Sequence, residues 1–415
     1  MLKHSFRIGA VVLVLAVAGI VAAIVISDRS ATARQSNLPM DKRYVSANCT
    51  FGFHLLRALA GESKGKNVFI SPASVALALS MTYNGASGDT QSAMAGALAI
   101  KGMSLEELNK AAAALLSNLQ QPGEGVQLSV ANSLWARNGV TFDPAFMDRN
   151  REFYEAEVTN LDFSDRGSVD RINGWVSDKT AAKIDRIISE IPSGAIMFLV
   201  NAVYFKGAWT DKFDPKSTQD QPFKLSNGEK KPVPMMYRSD EVGYLAGKGF
   251  SAVRLPYGKG RISLYVFLPD EKADLSAFIA KLDAKAWSEW MKGFKSREVQ
   301  LSIPKFKLEC SFELKPALST MGMGVAFDNR ASFSKMVPGA GPGDVFIGSV
   351  KHKTFVDVNE EGTEAAAATS VEMAATCAPP AATQFIVDRP FFCAIRDDKT
   401  GEILFAGAIQ DPLQK

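Results

Sequence analysis

Nucleophilic catalysis by a serine or cysteine needs a base within reach, and the chain holds three histidines, His4, His54 and His352. His4 lies in an N-terminal targeting segment and His54 in the middle of an amphipathic helical run. His352 belongs to the strand-like stretch Val350–Val358, where a period of two puts it on one face with Val350, Val356 and Val358. That place suits a buried, hydrogen-bonded structural histidine better than a general base. A hydrolase triad would have to use His54 or His352, the latter with Ser71. No GxSxG elbow, HExxH pair, phosphate loop or dinucleotide fingerprint occurs. Two unrelated histidines do not make a metal site. The chain is therefore expected not to be an enzyme, and to need no cofactor and no metal.

A different chemistry is legible in Glu360-Glu361-Gly362-Thr363-Glu364-Ala365-Ala366-Ala367-Ala368-Thr369-Ser370-Val371. Read as a strand, one face carries Thr363, Ala365, Ala367 and Thr369, all small and uncharged. Such a segment could slip into an existing sheet over a packed core without overfilling it. On composition alone a mobile Ala-rich loop or a short helix is the favoured reading, because Ala is the best helix former.

The elements that would position this segment run from helices to strands. Cys49–Ala60, Pro72–Tyr83 and Ser104–Leu119 read as helices, the last opening with a capping box of Ser104 and Glu107. Val126–Arg137 alternates like a strand and Asp165–Ser177 is helical. From about Ile196 strands dominate: Met197–Phe205, Gly249–Leu255, Arg261–Leu268, Val299–Leu308, Val345–Val358, Pro390–Arg396 and Ile403–Ala408. Short helices at Leu275–Leu282 and Ala284–Met291 interrupt them. No repeat and no linker divides the body, so the pattern is α+β in one continuous domain.

The 415 residues are 47% hydrophobic and 22% charged, with net charge +3, ordinary globular composition. No basic run interleaves with aromatics, so no nucleic-acid partner is expected. Lys3, His4 and Arg7 precede an uncharged run from Ile8 to Ile26, followed by Ala31-Thr32-Ala33. Residues 1–33 read as a signal peptide or a retained membrane anchor, and the body is expected to be exported, outside the cytoplasm. Membrane contact would come through that segment alone. Cys310 and Cys393 sit in strand-like runs and read as small buried hydrophobes. With Cys49 and Cys377 they make an even set whose pairing the sequence leaves open. Asn48-Cys49-Thr50 is a glycosylation sequon.

Several blocks, in order from about Tyr44 to Pro412, resemble the serpins. They are Asn67–Ser74, Tyr83–Ala86 with Gly88–Thr90, Leu199–Trp209, Asp357–Ala365, and Asp388–Phe392 with Gly401–Gly407. The resemblance implies a serpin domain over 44–412, with three β-sheets, eight or nine helices and an exposed reactive-centre loop at about 360–384. It implies a suicide inhibitor of serine endopeptidases, which traps the acyl-enzyme by inserting the cleaved loop into the main sheet. A monomer is expected. The alternative within the family is a non-inhibitory binding, carrier or chaperone module, cleaved without trapping.

Residue by residue, the match implies a hinge at Glu360, Glu361, Gly362, Thr363, Glu364, Ala365, Ala366, Ala367 and Ala368, free of bulky or proline breaks. It implies a buried polar cluster, the shutter, of Ser71, Ser74, Asn201 and His352. At the sheet's upper end, the breach, Lys305 and Glu360 match an ion pair with Trp209 nearby. The family's spacing puts the reactive bond at Thr376-Cys377, with Ala375 and Ala374 as alternatives. Pro379 and Pro380 agree, since neither can donate to a central ladder. Small residues there suit the shallow pocket of an elastase-like serine protease, with papain-like cysteine proteases as a second class of partner. Ser104–Gln120 carries only Lys110, just after Lys101, so no heparin site is indicated.

Overall fold

The computed structural model describes residues 39–191, 195–363 and 383–414. Helices come first, as their sequences dictate. Lys42–Glu62 starts at Asp41, whose carboxylate accepts from the Arg43 amide. Pro72–Tyr83 has proline at its start and is buried on every side, as expected of a helix apolar all round. Leu105–Gln120 opens with both hydrogen bonds of the Ser104–Glu107 capping box. The described residues hold nine α-helices. The sequence reading did not foresee the helices Gly88–Ala97 and Pro144–Tyr154 or the strands Glu157–Leu161 and Gln219–Lys224.

Among the described residues the strands make two hydrogen-bonded sheets rather than the expected three. The reason is Lys230–Gly247, a strand of 18 residues. It pairs in turn with Gln219–Lys224, Lys295–Pro304 and Phe250–Tyr257, carrying the ladder from one lobe into the next. The result is a nine-stranded sheet. The single strand expected over Val299–Leu308 is broken at Lys305 into Lys295–Pro304 and Phe306–Glu313, which belong to different sheets.

The second sheet has six strands in the order Phe306–Glu313, Ser349–Asn359, Gly362–Thr363, Met197–Ala208, Val126–Arg137 and Glu157–Leu161. Leu134, Leu199, Val203, Val350 and Val356 point from it into the main core. Its other face forms a separate cluster, in which Trp135, Phe198, Val200 and Tyr204 lie under Ile172 and Val176 of the helix Gly167–Lys179. Buried on both faces, the sheet reads as near-continuous apolar runs.

The sequon is not available in the folded chain, because Asn48 is 2% exposed inside the helix Lys42–Glu62. Cys49, Cys310 and Cys393 are buried free thiols. Burial pushes the Cys310 thiol up to about 11. The proposed N-terminal segment, Glu364 to Ala368 of the hinge, and Ala374, Ala375, Thr376 and Cys377 lie outside the described residues.

Candidate functional site: a fork in the six-stranded sheet

Two central strands of the six-stranded sheet, Met197–Ala208 and Ser349–Asn359, run parallel. They are paired from Phe198–Ser349 to Tyr204–Phe355. Above that point they part, and Gly362–Thr363 lies between them, antiparallel to both. Gly362 pairs with Ala208 and Asn359, Thr363 with Gly207 and Val358. The fork is a place where a third strand has begun. Extending it downward would replace one parallel ladder by two antiparallel ones, and parallel pairing is slightly the weaker per residue.

Backbone sterics select the residue at the turn. Gly362 has φ +151°, and a Cβ there would stand 2.1 Å from the Gly207 carbonyl oxygen. Only glycine fits. Thr363 is fully buried, and its hydroxyl shares a hydrogen bond of 2.6 Å with that of Tyr257.

The fork is held from above by side chains that lie just outside the named strands. Lys305 Nζ lies 2.8 Å from the Glu360 carboxylate, which also accepts from the Thr218 hydroxyl at 2.7 Å. Burial would raise the Glu360 pKa, but the hydrogen bonds from Lys305 and Thr218 outweigh it and hold it below the usual range. Trp209 donates from its indole nitrogen to the Asn359 carbonyl at 2.8 Å and from its amide to the Glu361 carbonyl at 3.0 Å. Lys212 pairs with Glu361 at 2.6 Å. Trp209, Lys305 and Glu360 therefore do meet at one end of the sheet.

Below the fork the two strands are held by polar side chains. His352 stands opposite Asn201 in the parallel register. Its Nδ1 is 2.6 Å from Asn201 Oδ1, and its Nε2 accepts from the Ser71 amide at 3.0 Å. An amide oxygen on one side and an N–H on the other require a single neutral tautomer, protonated on Nδ1. Burial drives its pKa down to about 3. Asn201 Nδ2 in turn donates to Ser74 Oγ and to Asn132 Oδ1. The four residues grouped from sequence are one network, spanning two strands and the start of the helix Pro72–Tyr83.

The same geometry removes the hydrolase reading. His352 meets the Ser71 main chain, not its hydroxyl, and is fully buried. His54 is exposed on the helix Lys42–Glu62.

Some participants were not anticipated. Asn132 was detectable, being a polar residue in the buried half of an alternating strand. Thr218, Lys212 and Tyr257 carry no local signal, because each reaches the fork only through the fold.

In comparison with known proteins, the family described as Serpin (serine protease inhibitor) matches residues 46–412. Serpin B6 of Pongo abelii is 37% identical over 376 residues, which cover 88% of this chain and 98% of that protein. Leukocyte elastase inhibitor of Bos taurus is 34% identical over 379 residues, 88% of this chain and 99% of that one. The solved structure of a thermophilic serpin, tengpin, in its native state matches with a TM-score of 0.83 at 31% identity, over 90% of this chain and 95% of that one. The curated relatives overturn the expectation of an exported or membrane-anchored body, because they are intracellular clade B serpins. Among the described residues no helix is long and apolar enough to cross a membrane.

Proposed function

The chain belongs to the serpin family, and on that premise we propose that it is a single-use trap for an elastase-like serine protease. As a family member it is a protease inhibitor and not an enzyme. In the proposed reaction the protease's nucleophile attacks the Thr376 carbonyl. The peptide bond to Cys377 breaks, Cys377 leaves as a new amino terminus, and Thr376 stays on the enzyme as an ester. Ala375 and Ala374 are the alternative acyl positions. The freed segment then extends the strand begun at Gly362–Thr363, drawing the protease down the sheet.

One observation carries this reading: Gly362 and Thr363 are paired between two parallel strands that continue below them. A strand of Thr363–Thr376 would reach about 46 Å at roughly 3.3 Å per residue, enough to carry an attached enzyme across the domain. Glu364, Ala365, Ala366, Ala367 and Ala368 would follow Thr363 in. The alternating small side chains fit a buried sheet without overpacking it. Ser71, Ser74, Asn201 and His352 act as the shutter that must open. Lys305, Glu360 and Trp209 hold the breach until it does. Small residues at the bond favour shallow pockets, and papain-like cysteine proteases form the second target class.

The test is to mix the purified protein with an elastase-like protease, boil it in SDS and sequence the released peptide. We expect a band at the summed mass and a new N-terminus at Cys377. Cleavage without that band would transfer the protein to the binding-module reading. Fast one-to-one trapping of trypsin, with elastase untouched, would overturn the target class.

A further inference from the structure

Tyr257 ends the strand Phe250–Tyr257 of the nine-stranded sheet and faces the fork in the other sheet. Its ring is gripped on several sides. It stacks on Trp209 with centroids 4.4 Å apart and planes 10° from parallel, and meets Phe205 edge-on at 5.2 Å. Against Gly207 the fit is so close that a Cβ there would stand 2.9 Å from the ring. The hydroxyl therefore cannot swing away. It is buried, and among the described residues its hydrogen-bond partner is the Thr363 hydroxyl.

We infer that Tyr257 is a positioning residue that pins the register in which the reactive segment enters the six-stranded sheet. The inference rests on the insertion reading proposed above. Side chains of a strand alternate between faces, so a slip of one residue exchanges every inward group for an outward one. Such a slip would put Gly362 or Glu364 under the Tyr257 hydroxyl. Glycine offers no partner, and Glu364 would bury a carboxylate. A slip of two in the direction of the loop presents Ala365, again with no partner. On that face the next hydroxyl is Thr369. A buried hydroxyl left unpaired, or a carboxylate buried beside it, is costly, so these three registers are disfavoured.

Gly362 enforces the same register by independent means. Shifting the segment by one residue would place Glu361 or Thr363 where a Cβ meets the Gly207 carbonyl. The steric pin at Gly362 and the polar pin at Tyr257 act on adjacent residues.

Two measurements on Tyr257→Phe, Thr363→Val, Thr363→Ser and the Tyr257→Phe/Thr363→Val double variant test the assignment. The first is amide hydrogen exchange at Gly362 and Thr363 in the intact protein, which needs no protease. Exchange should quicken about fivefold in Tyr257→Phe and in Thr363→Val, the loss of one buried hydrogen bond. It should stay at the parental rate in Thr363→Ser, and the double variant should be no faster than either single one. The second is the ratio of hydrolysed to trapped inhibitor with a protease that the parent chain traps. That ratio should rise by a similar factor in the same variants, because an unseated loop gives the ester time to hydrolyse.

Unchanged exchange in Tyr257→Phe overturns the assignment, as do independent effects that multiply in the double variant. Altered exchange in a parent chain that traps nothing would instead sink the insertion reading and leave the pin standing.

Discussion

In the nine-stranded sheet, Phe267 touches Phe392, Trp290, Trp287 and Phe250 with ring centroids 5.4 to 5.6 Å apart. Phe278 stacks on Trp290 at 5.6 Å. At the middle of the six-stranded sheet the corresponding place is taken by His352, Asn201, Asn132 and Ser74, joined by hydrogen bonds. Interlocked rings forfeit about a quarter to a half of their contact energy when displaced by roughly 0.5–1 Å. Hydrogen-bonded amides and hydroxyls can separate and find new partners. One sheet is a frame held by interlocked rings, and the polar seam of the other is where the proposed function would have it open.

The contrast can be broken most forcefully at the seam's entrance. Thr363→Arg would bury a charge beside Tyr257 at a cost of several kcal/mol. The inhibitor should become a substrate, cleaved with more than tenfold less covalent adduct on an SDS gel. A variant that traps as well as its parent would remove insertion from the mechanism.

Phe267→Ala tests the frame. It should cost about 3–5 kcal/mol in denaturant titration, and equally in the intact and the loop-cleaved protein. Unequal losses would mean that the frame also changes during insertion.

Two buried titrating groups sharpen the comparison with opposite signs. Burial takes His352, at the seam, down to about 3. The folded chain then binds fewer protons than the unfolded one between that value and the ordinary 6.5, so stability falls as pH drops below 6.5. The slope is up to about 1.4 kcal/mol per pH unit. Burial lifts Glu402, beside the frame strand Ile403–Ile409, to about 8, with Asn48 partly opposing. Its stabilising contribution is complete below the ordinary carboxylate pKa and is lost as pH rises towards 8. Melting temperature against pH should therefore fall at both ends. Between pH 4.5 and 6.5 the two slopes cancel in the parent chain. Glu402→Gln should flatten the alkaline side and start the acid fall at 6.5 instead of 4.5. A parent chain with no fall below 4.5 would contradict the seam assignment.

The smallest effect is expected at Glu360. Glu360→Gln keeps the shape but weakens the bonds from Lys305 and Thr218, by roughly 1–2 kcal/mol. The fork should open more readily, seen as faster polymer formation on warming in size-exclusion runs. A monomer of unchanged lifetime would show that the fork does not depend on the Lys305–Glu360 pair.

Much of this was legible before any coordinates. The helix Pro72–Tyr83 declared itself by its Ser-Pro start, and Val126–Arg137 by alternation. The buried place of His352 followed from its aliphatic neighbours at a spacing of two. The break at Lys305 was missed because Val299–Leu308 is uniformly strand-like. Nothing local says that its two halves join different sheets. Thr218 and Lys212 were missed for a similar reason: an exposed-type residue in a loop looks the same whether or not a distant carboxylate is waiting for it.

The sequence alone determined the α+β order, the family, the glycine at the hinge and the small side chains after it. Those depend on local periodicity, on backbone freedom at one residue and on side-chain volume. Only the tertiary structure decided that two sheets rather than three are hydrogen-bonded among the described residues. It alone decided that Gly362 and Thr363 are paired between the two strands of the fork, and that a tyrosine 106 positions away supplies the Thr363 hydroxyl with its partner. Strand pairing and buried polar contacts join residues far apart in the chain, and the free energy that selects among such pairings belongs to the packed whole.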